Sequence, residues 1–189
     1  IWKETRNWSL EDFDQIYKWL GTEFDHVFYE SEVDEEGKQL VIQWAENGLF
    51  QKSDGAIGVD LNDEKLGFFL LLKSDGNTLY STKDLALAKR KFEEFGIERS
   101  IYVVGAEQTL HFKQIFATLK KIGYEQASSC FHLPYALVVL PEGKMSSRAG
   151  NAILFSKLQQ GMCDFVRNNY LETHRESWTD EEIESTTRK

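Results

Sequence analysis

Two groups of residues in this 189-residue chain have the types and spacing to do chemistry. The first is the run Pro141-Glu142-Gly143-Lys144-Met145-Ser146-Ser147-Arg148-Ala149-Gly150-Asn151, with two cations, three small polar side chains and two glycines. That mixture suits a loop that closes over phosphates, because ammonium, guanidinium and hydroxyl donors all match phosphate oxygens. It is not a Walker A loop: Gly143 precedes Lys144, but Val138 stands where that motif has its first glycine. On composition alone an ordinary surface loop fits equally well. The second group is Tyr80, Asp84, Gln108 and His111. Tyr80 and Asp84 stand four apart at an expected helix start and can project toward one site. Gln108 follows an apolar strand, and His111 lies one helical turn beyond it. Each has a plain alternative. Ser81 and Asp84 also spell a capping box, Tyr80 can pack in a core, and His111 can either approach a nucleotide or pack against a sheet.

The elements that must position these residues follow from periodicity. Ser9 and Asp12 read as a capping box opening a helix to about Leu20, with Leu10, Phe13, Ile16, Tyr17 and Leu20 on one face. A short strand is predicted at Val27–Tyr29, then a helix carrying Val41, Trp44, Ala45, Gly48 and Leu49, then strands at Ala56–Leu61 and Leu66–Lys73 ending in the turn Asp75-Gly76. A helix from about Thr82, with Leu85, Ala88, Phe92 and Phe95 on one side, stops at Gly96. Ile101–Val104 reads as a buried parallel strand, and the following helix carries Phe112, Ile115, Phe116 and Leu119 inward and ends at Gly123. A further strand is expected within Tyr135–Leu140. This alternation with short connections is a βαβ unit, hence an α/β fold with a parallel sheet and flanking helices. In such a sheet ligands sit beyond the carboxyl ends of the strands, where both residue groups fall. Helices near Asn151–Arg167 and Thr179–Arg188 close the chain, the second capped by Thr179 and Glu182.

Composition narrows the functional classes. The longest apolar runs, Phe68–Leu72 and Tyr135–Leu140, are far short of the ~18 residues of a spanning helix, so no membrane partner is expected. Cys130 and Cys163 cannot build a disulfide framework and point to a reducing, cytoplasmic setting. Neither they nor the four histidines have metal-ligand spacing, so no metal site is expected. The net charge of −9 argues against a general nucleic-acid binder. The charge is uneven: residues 1–75 hold 17 acidic and 7 basic side chains, whereas residues 76–150 hold 7 and 10. Only the central third invites phosphate.

The order of residues then adds a resemblance. Lys144-Met145-Ser146-Ser147-Arg148 resembles the Lys-Met-Ser-Lys-Ser signature of class I aminoacyl-tRNA synthetases, in the form common among arginyl enzymes. Asp75-Gly76 with Leu79-Tyr80-Ser81-Thr82-Lys83-Asp84-Leu85-Ala86 is similar to that family's Asp-Gly…Leu-Tyr-x-Thr-Arg-Asp-Leu-Ala stretch. Val103-Val104-Gly105 with Gln108-Thr109-Leu110-His111-Phe112 is similar to its Val-Val-Gly…Gln-x-Leu-His-Phe segment, and Phe24-Asp25 with Glu30-Ser31 to its Phe-Asp…Glu-Ser piece. Ser147 departs from the pattern by replacing the second lysine. The family's His-x-Gly-His element appears nowhere in the chain, because His26, His111, His132 and His174 lie far apart.

The resemblance implies the second half of a class I Rossmann-like catalytic domain over residues 1–150, and over 151–189 a helical segment leading toward an anticodon-binding domain. It implies activation of arginine by ATP, with Mg2+ accompanying the nucleotide, and transfer to tRNA(Arg). Tyr80, Asp84 and Gln108 match the arginine-binding positions, a carboxylate being the fork-shaped partner a guanidinium needs. Lys144, Ser146, Ser147 and Arg148 match the catalytic loop, and His111, Lys144 and Met145 fall at ATP. The intact enzyme is expected to be monomeric, and the chain by itself inactive for want of the His-x-Gly-His donors. Two alternatives stand beside this reading: a class I synthetase for another amino acid, and a non-catalytic binding module derived from a synthetase.

Overall fold

In a computed structural model that describes residues 1–137 and 153–188, the chain opens on a helix, α1 (Trp2–Leu20), closed by Gly21 in the left-handed conformation at φ 63°. The helix starts a full two turns before the expected Ser9 cap. Ser9 lies inside it, its hydroxyl donating back to the Thr5 carbonyl at 3.2 Å. Val27–Tyr29 is not a strand. Phe28 instead packs edge-on against His26 and Phe95, with ring centroids 4.3 and 5.5 Å away. Helix α2 (Glu30–Glu46) follows, its start fixed by the Tyr29 N–H donating to the Glu32 carboxylate at 3.2 Å.

Three strands, β1 (Gln51–Ser53), β2 (Ala56–Asp60) and β3 (Phe68–Leu72), form an antiparallel meander. Asp54 and Gly55, both at positive φ, make the tight β1–β2 turn. Then come α3 (Tyr80–Phe95), β4 (Ser100–Gly105), α4 (Thr109–Lys121) and β5 (Cys130–Tyr135). Strands β4 and β5 pair in parallel, Ile101 opposite Phe131 and Val103 opposite Leu133, so β4–α4–β5 is the expected βαβ unit. The second strand of that unit comes earlier than the Tyr135–Leu140 reading placed it, and residues 138–140 lie outside the described residues. Gly96 ends α3 in the left-handed conformation at φ 57°, as expected, although Phe95 before it is exposed and Phe92 is the last buried phenylalanine of the helix.

The core joins α2, the meander, α3 and α4 through Val41, Val59, Leu61, Leu71, Leu85, Ile115 and Leu119, all essentially without solvent contact. Alternation leaves the other face of the parallel pair open: Ile101, Val103, Phe131, Leu133 and Tyr135 are all about half exposed. Among the described residues the pair has no third strand.

The chain divides into two compact units, Ile1–Ala136 and Leu137–Lys189. In the second, α5 (Phe155–Val166) runs into a wide π-type turn, and α6 (Asp180–Thr187) begins with the expected cap, the Glu182 N–H donating to Thr179 Oγ1 at 3.2 Å. Arg167 pairs with Glu184, and Leu171, Ile183 and Thr187 are buried. Among the described residues no helix is long and apolar enough to cross a membrane.

Candidate functional site

The first turn of α3 is fastened to β3 by hydroxyls. Ser81 Oγ donates to the Leu70 carbonyl at 2.8 Å and Thr82 Oγ1 to the Leu71 carbonyl, while the Leu79 N–H donates to Thr82 Oγ1 at 3.0 Å. One buried threonine thus satisfies both the helix start and the end of the strand. The turn before it is set by Asp75, whose carboxylate accepts from the Asn77 N–H at 3.0 Å and the Asn77 side-chain amide at 2.9 Å. Those bonds, the backbone one foremost, hold the Asp75 carboxyl below its ordinary 3.8. From the other side α2 presses close at Gly37. A Cβ there would lie 2.6 Å from the Thr82 carbonyl oxygen. The capping-box reading of Ser81 and Asp84 does not hold, because Ser81 is spent on β3 and Thr82 makes the cap. Asp84, on the second turn, is released from that duty.

At the carboxyl end of β4, a 3-10 turn over Ala106–Gln108 leads into α4, with Gln108 at the helix N-cap position. One turn further, His111 Nε2 lies 2.6 Å from Asp84 Oδ2. The imidazole ring packs edge-on against Phe69 of β3 and Phe112, at 5.8 and 5.4 Å between centroids. Both partners are part-buried, with side chains 22% (His111) and 31% (Asp84) exposed. Because a carboxylate only accepts, the bond requires a proton on Nε2.

The surrounding cations are engaged elsewhere. Lys83 Nζ reaches Glu30 at 2.7 Å and Asp34 at 3.6 Å, and the Glu30 bond holds its ammonium above the ordinary 10.5. Lys91 Nζ donates to Ser100 Oγ at 2.8 Å and lies 3.8 Å from the Tyr102 ring centroid, where burial pushes the ammonium below its ordinary value. Burial pushes the Tyr102 phenol up, and its hydroxyl is buried without a hydrogen-bond partner. Among the described residues no Lys or Arg lies within 4.0 Å of Asp84. An open cleft of about 460 Å³ lies between α1, α2 and α3, lined by Trp2, Arg6, Tyr29, Glu30, Asp34 and Lys83 among others.

Of the residues singled out in sequence, Asp84 and His111 are therefore in direct contact. Tyr80 opens α3 one turn before Asp84, 72% exposed, with the Lys83 ammonium 5.9 Å from its ring, so it is not a core residue. Gln108 is exposed one turn before His111, and its side chain makes no hydrogen bond among the described residues. Lys144, Met145, Ser146, Ser147 and Arg148 lie outside the described residues. The Lys83–Glu30–Asp34 network and the part-buried Lys91 carried no signal in sequence, because their partners come from different elements. No group of three His, Cys, Asp or Glu converges among the described residues. What the arrangement offers is a part-buried carboxylate held by an imidazole, with no Lys or Arg within 4.0 Å among the described residues, Tyr80 one turn before it on α3 and Gln108 one turn before His111 on α4.

Residues 1–186 match the family described as tRNA synthetases class I (R), catalytic domain. The arginine–tRNA ligase of Bdellovibrio bacteriovorus is 49% identical over 184 residues, covering 97% of this chain and 32% of the relative. That of Phocaeicola vulgatus is 37% identical over 190 residues, covering all of this chain and 31% of the relative. The chain thus spans about a third of the length of the curated relatives it matches. Among solved structures, the arginyl-tRNA synthetase of Plasmodium falciparum superposes with a TM-score of 0.80 at 20% identity, over 99% of this chain and 31% of that one. The Thermus thermophilus arginyl-tRNA synthetase gives 0.67 at 21% identity, over 90% and 35%. These two similarities bear on the fold alone.

Proposed function

The chain belongs to the class I tRNA synthetase (R) catalytic-domain family, and from that premise we propose that it forms part of an arginine–tRNA ligase and carries that enzyme's arginine-recognition residues. The observation that supports this most is the Asp84 carboxylate, held by His111 with no cation beside it. In this reading the arginine guanidinium docks on Asp84 as a fork-shaped partner, Tyr80 lies against it, and Gln108 takes the polar head of the amino acid. The arginine carboxylate oxygen attacks the α-phosphorus of ATP. A new P–O bond forms, the bond to the β-phosphate breaks, and pyrophosphate leaves. A ribose hydroxyl of the terminal adenosine of tRNA(Arg) then takes the arginyl group as an ester, the acyl–phosphate bond breaks, and AMP leaves.

No side chain acts as nucleophile, so the protein contributes orientation and charge. From their sequence positions, Lys144 and Arg148 meet the phosphates, Ser146 and Ser147 donate hydroxyls, and Met145 packs beside adenine. Mg2+ enters as the counter-ion of the triphosphate. Residues 1–150 supply the second half of the nucleotide-binding fold and 151–189 lead toward the tRNA-binding remainder of a cytoplasmic, monomeric enzyme. Arginine-dependent pyrophosphate exchange by the intact protein tests the assignment. Asp84→Asn keeps the shape and removes the charge, and is expected to weaken arginine use by about tenfold or more while sparing ATP. Equal use of arginine by both proteins, or exchange driven equally by a neutral amino acid, would refute it.

A further inference from the structure

The contact between Asp84 and His111 links two helices that sequence treats separately. We propose that His111 is a positioning residue for guanidinium recognition, its Nε2–H fixing the Asp84 carboxylate in the orientation that receives the cation. This rests on the reading of Asp84 given above and deepens it.

The argument begins with what an aspartate lacks on its own. A part-exposed carboxylate turns about two bonds, and a ligand that needs one orientation must bear the entropy of freezing it. His111 removes that freedom in advance: Nε2 is 2.6 Å from Oδ2, and the imidazole is itself fixed between Phe69 of β3 and Phe112 of its own helix. A carboxylate offers about four lone-pair directions. His111 occupies one, leaving Oδ1 and the rest of Oδ2 for a forked donor. The choice of residue matters as well. A lysine or arginine in the same place would compete with the substrate guanidinium for the charge of Asp84 at every pH, whereas an imidazole can donate a hydrogen bond through Nε2–H without carrying a charge. The nearby cations obey the same logic, with Lys83 directed to Glu30 and Asp34, and Lys91 to Ser100.

The test uses the intact protein, with equilibrium arginine binding measured beside the KM for ATP in pyrophosphate exchange. Glutamine places its amide nitrogen where histidine has Nε2, leucine offers no donor, and asparagine has a donor too short to reach. His111→Leu and His111→Asn are expected to weaken arginine binding by about tenfold or more, the loss typical of a hydrogen bond to a charged group. His111→Gln is expected to restore it to within about threefold, with the ATP KM steady throughout. In an Asp84→Asn background, His111→Leu should add less than about a twofold loss, because the two residues act as one unit. Should leucine fail to fold, the glutamine and asparagine pair carries the comparison. A rise in ATP KM with arginine binding intact makes His111 a nucleotide contact and overturns the proposal. Glutamine no better than asparagine or leucine also overturns it, reducing His111 to packing. Asp84→Asn binding arginine normally would instead bring down the arginine reading itself.

Discussion

Gly37→Ala adds a single methyl group where α2 crosses α3, and the outcome can be worked from distances. The new Cβ would lie 2.6 Å from the Thr82 carbonyl oxygen, 3.1 Å from its carbonyl carbon and 3.2 Å from its Cγ2. A carbon-to-oxygen contact relaxes to about 3.3–3.6 Å, so the helices must part by roughly 0.7 Å. The obstacle is backbone, and Thr82 cannot swing away because its hydroxyl is committed to Leu71 and Leu79. Overpacking of this kind costs about 1–3 kcal/mol, against roughly 1 kcal/mol gained by replacing a helical glycine with alanine. The expected net effect is a loss of up to about 2 kcal/mol. Gly161, in α5, is the control: a Cβ there meets nothing within 4 Å, so the same substitution should gain about 0.5–1 kcal/mol. Thermal and urea unfolding of the two variants in the intact protein measures both signs. Because α3 carries Tyr80 and Asp84 on its first two turns, Gly37→Ala should also weaken arginine binding. Equal shifts of the same sign at the two glycines would refute the steric argument.

Three further expectations follow from the same geometry. Thr82→Val leaves the Leu71 carbonyl and the Leu79 N–H without their shared hydroxyl, and should cost about 1–3 kcal/mol in unfolding experiments. The Asp75 carboxyl is held below 3.8 by Asn77, so its contribution is fully present above that pH and fades as pH falls through the lower folded value; Asp75→Asn should flatten the acid limb of the unfolding curve below about pH 4, and an unchanged limb would exclude it. Lys144→Ala in the intact enzyme should slow adenylate formation by about 10²-fold while arginine binding stays level, since charge builds on the leaving pyrophosphate only in the transition state; pre-steady-state adenylate formation beside equilibrium binding decides it.

Sequence was a good guide wherever a signal was local. Gly96 and Gly123 closed their helices, Thr179 and Glu182 capped α6, and the apolar run at Ile101–Val104 became the parallel strand β4, though with Ile101 and Val103 exposed rather than buried. It misled where tertiary partners compete. Val27–Tyr29 has strand-forming residues but no strand to pair with, and its phenylalanine is taken by Phe95. Ser81 and Asp84 have cap spacing, yet β3 offers Ser81 a carbonyl and α4 offers Asp84 a histidine. Strand β1 is polar and exposed and has no hydrophobic pattern; Asp54-Gly55, a strong hairpin turn, was the cue available for it. Strand β5 interleaves His132 and Pro134 with its apolar residues, so the smoother run after it drew the strand too late. Within the candidate site, motif order singled out Tyr80, Asp84, Gln108 and His111 one by one, but the Asp84–His111 bond spans 27 positions and two helices. No periodicity encodes such a pair.

The open face of the β4–β5 pair bears on how these 189 residues behave in isolation. Ile101, Val103, Phe131, Leu133 and Tyr135 form a continuous greasy panel on a sheet that ends at its second strand among the described residues. Parallel strands are ordinarily sheathed on both sides, and an unsheathed one invites other chains to add on. Expressed alone, the 189 residues should therefore be sticky, forming soluble clusters or precipitate as concentration rises, despite a net charge of −9 that would otherwise keep molecules apart. During synthesis the same panel would give molecular chaperones a surface to grip.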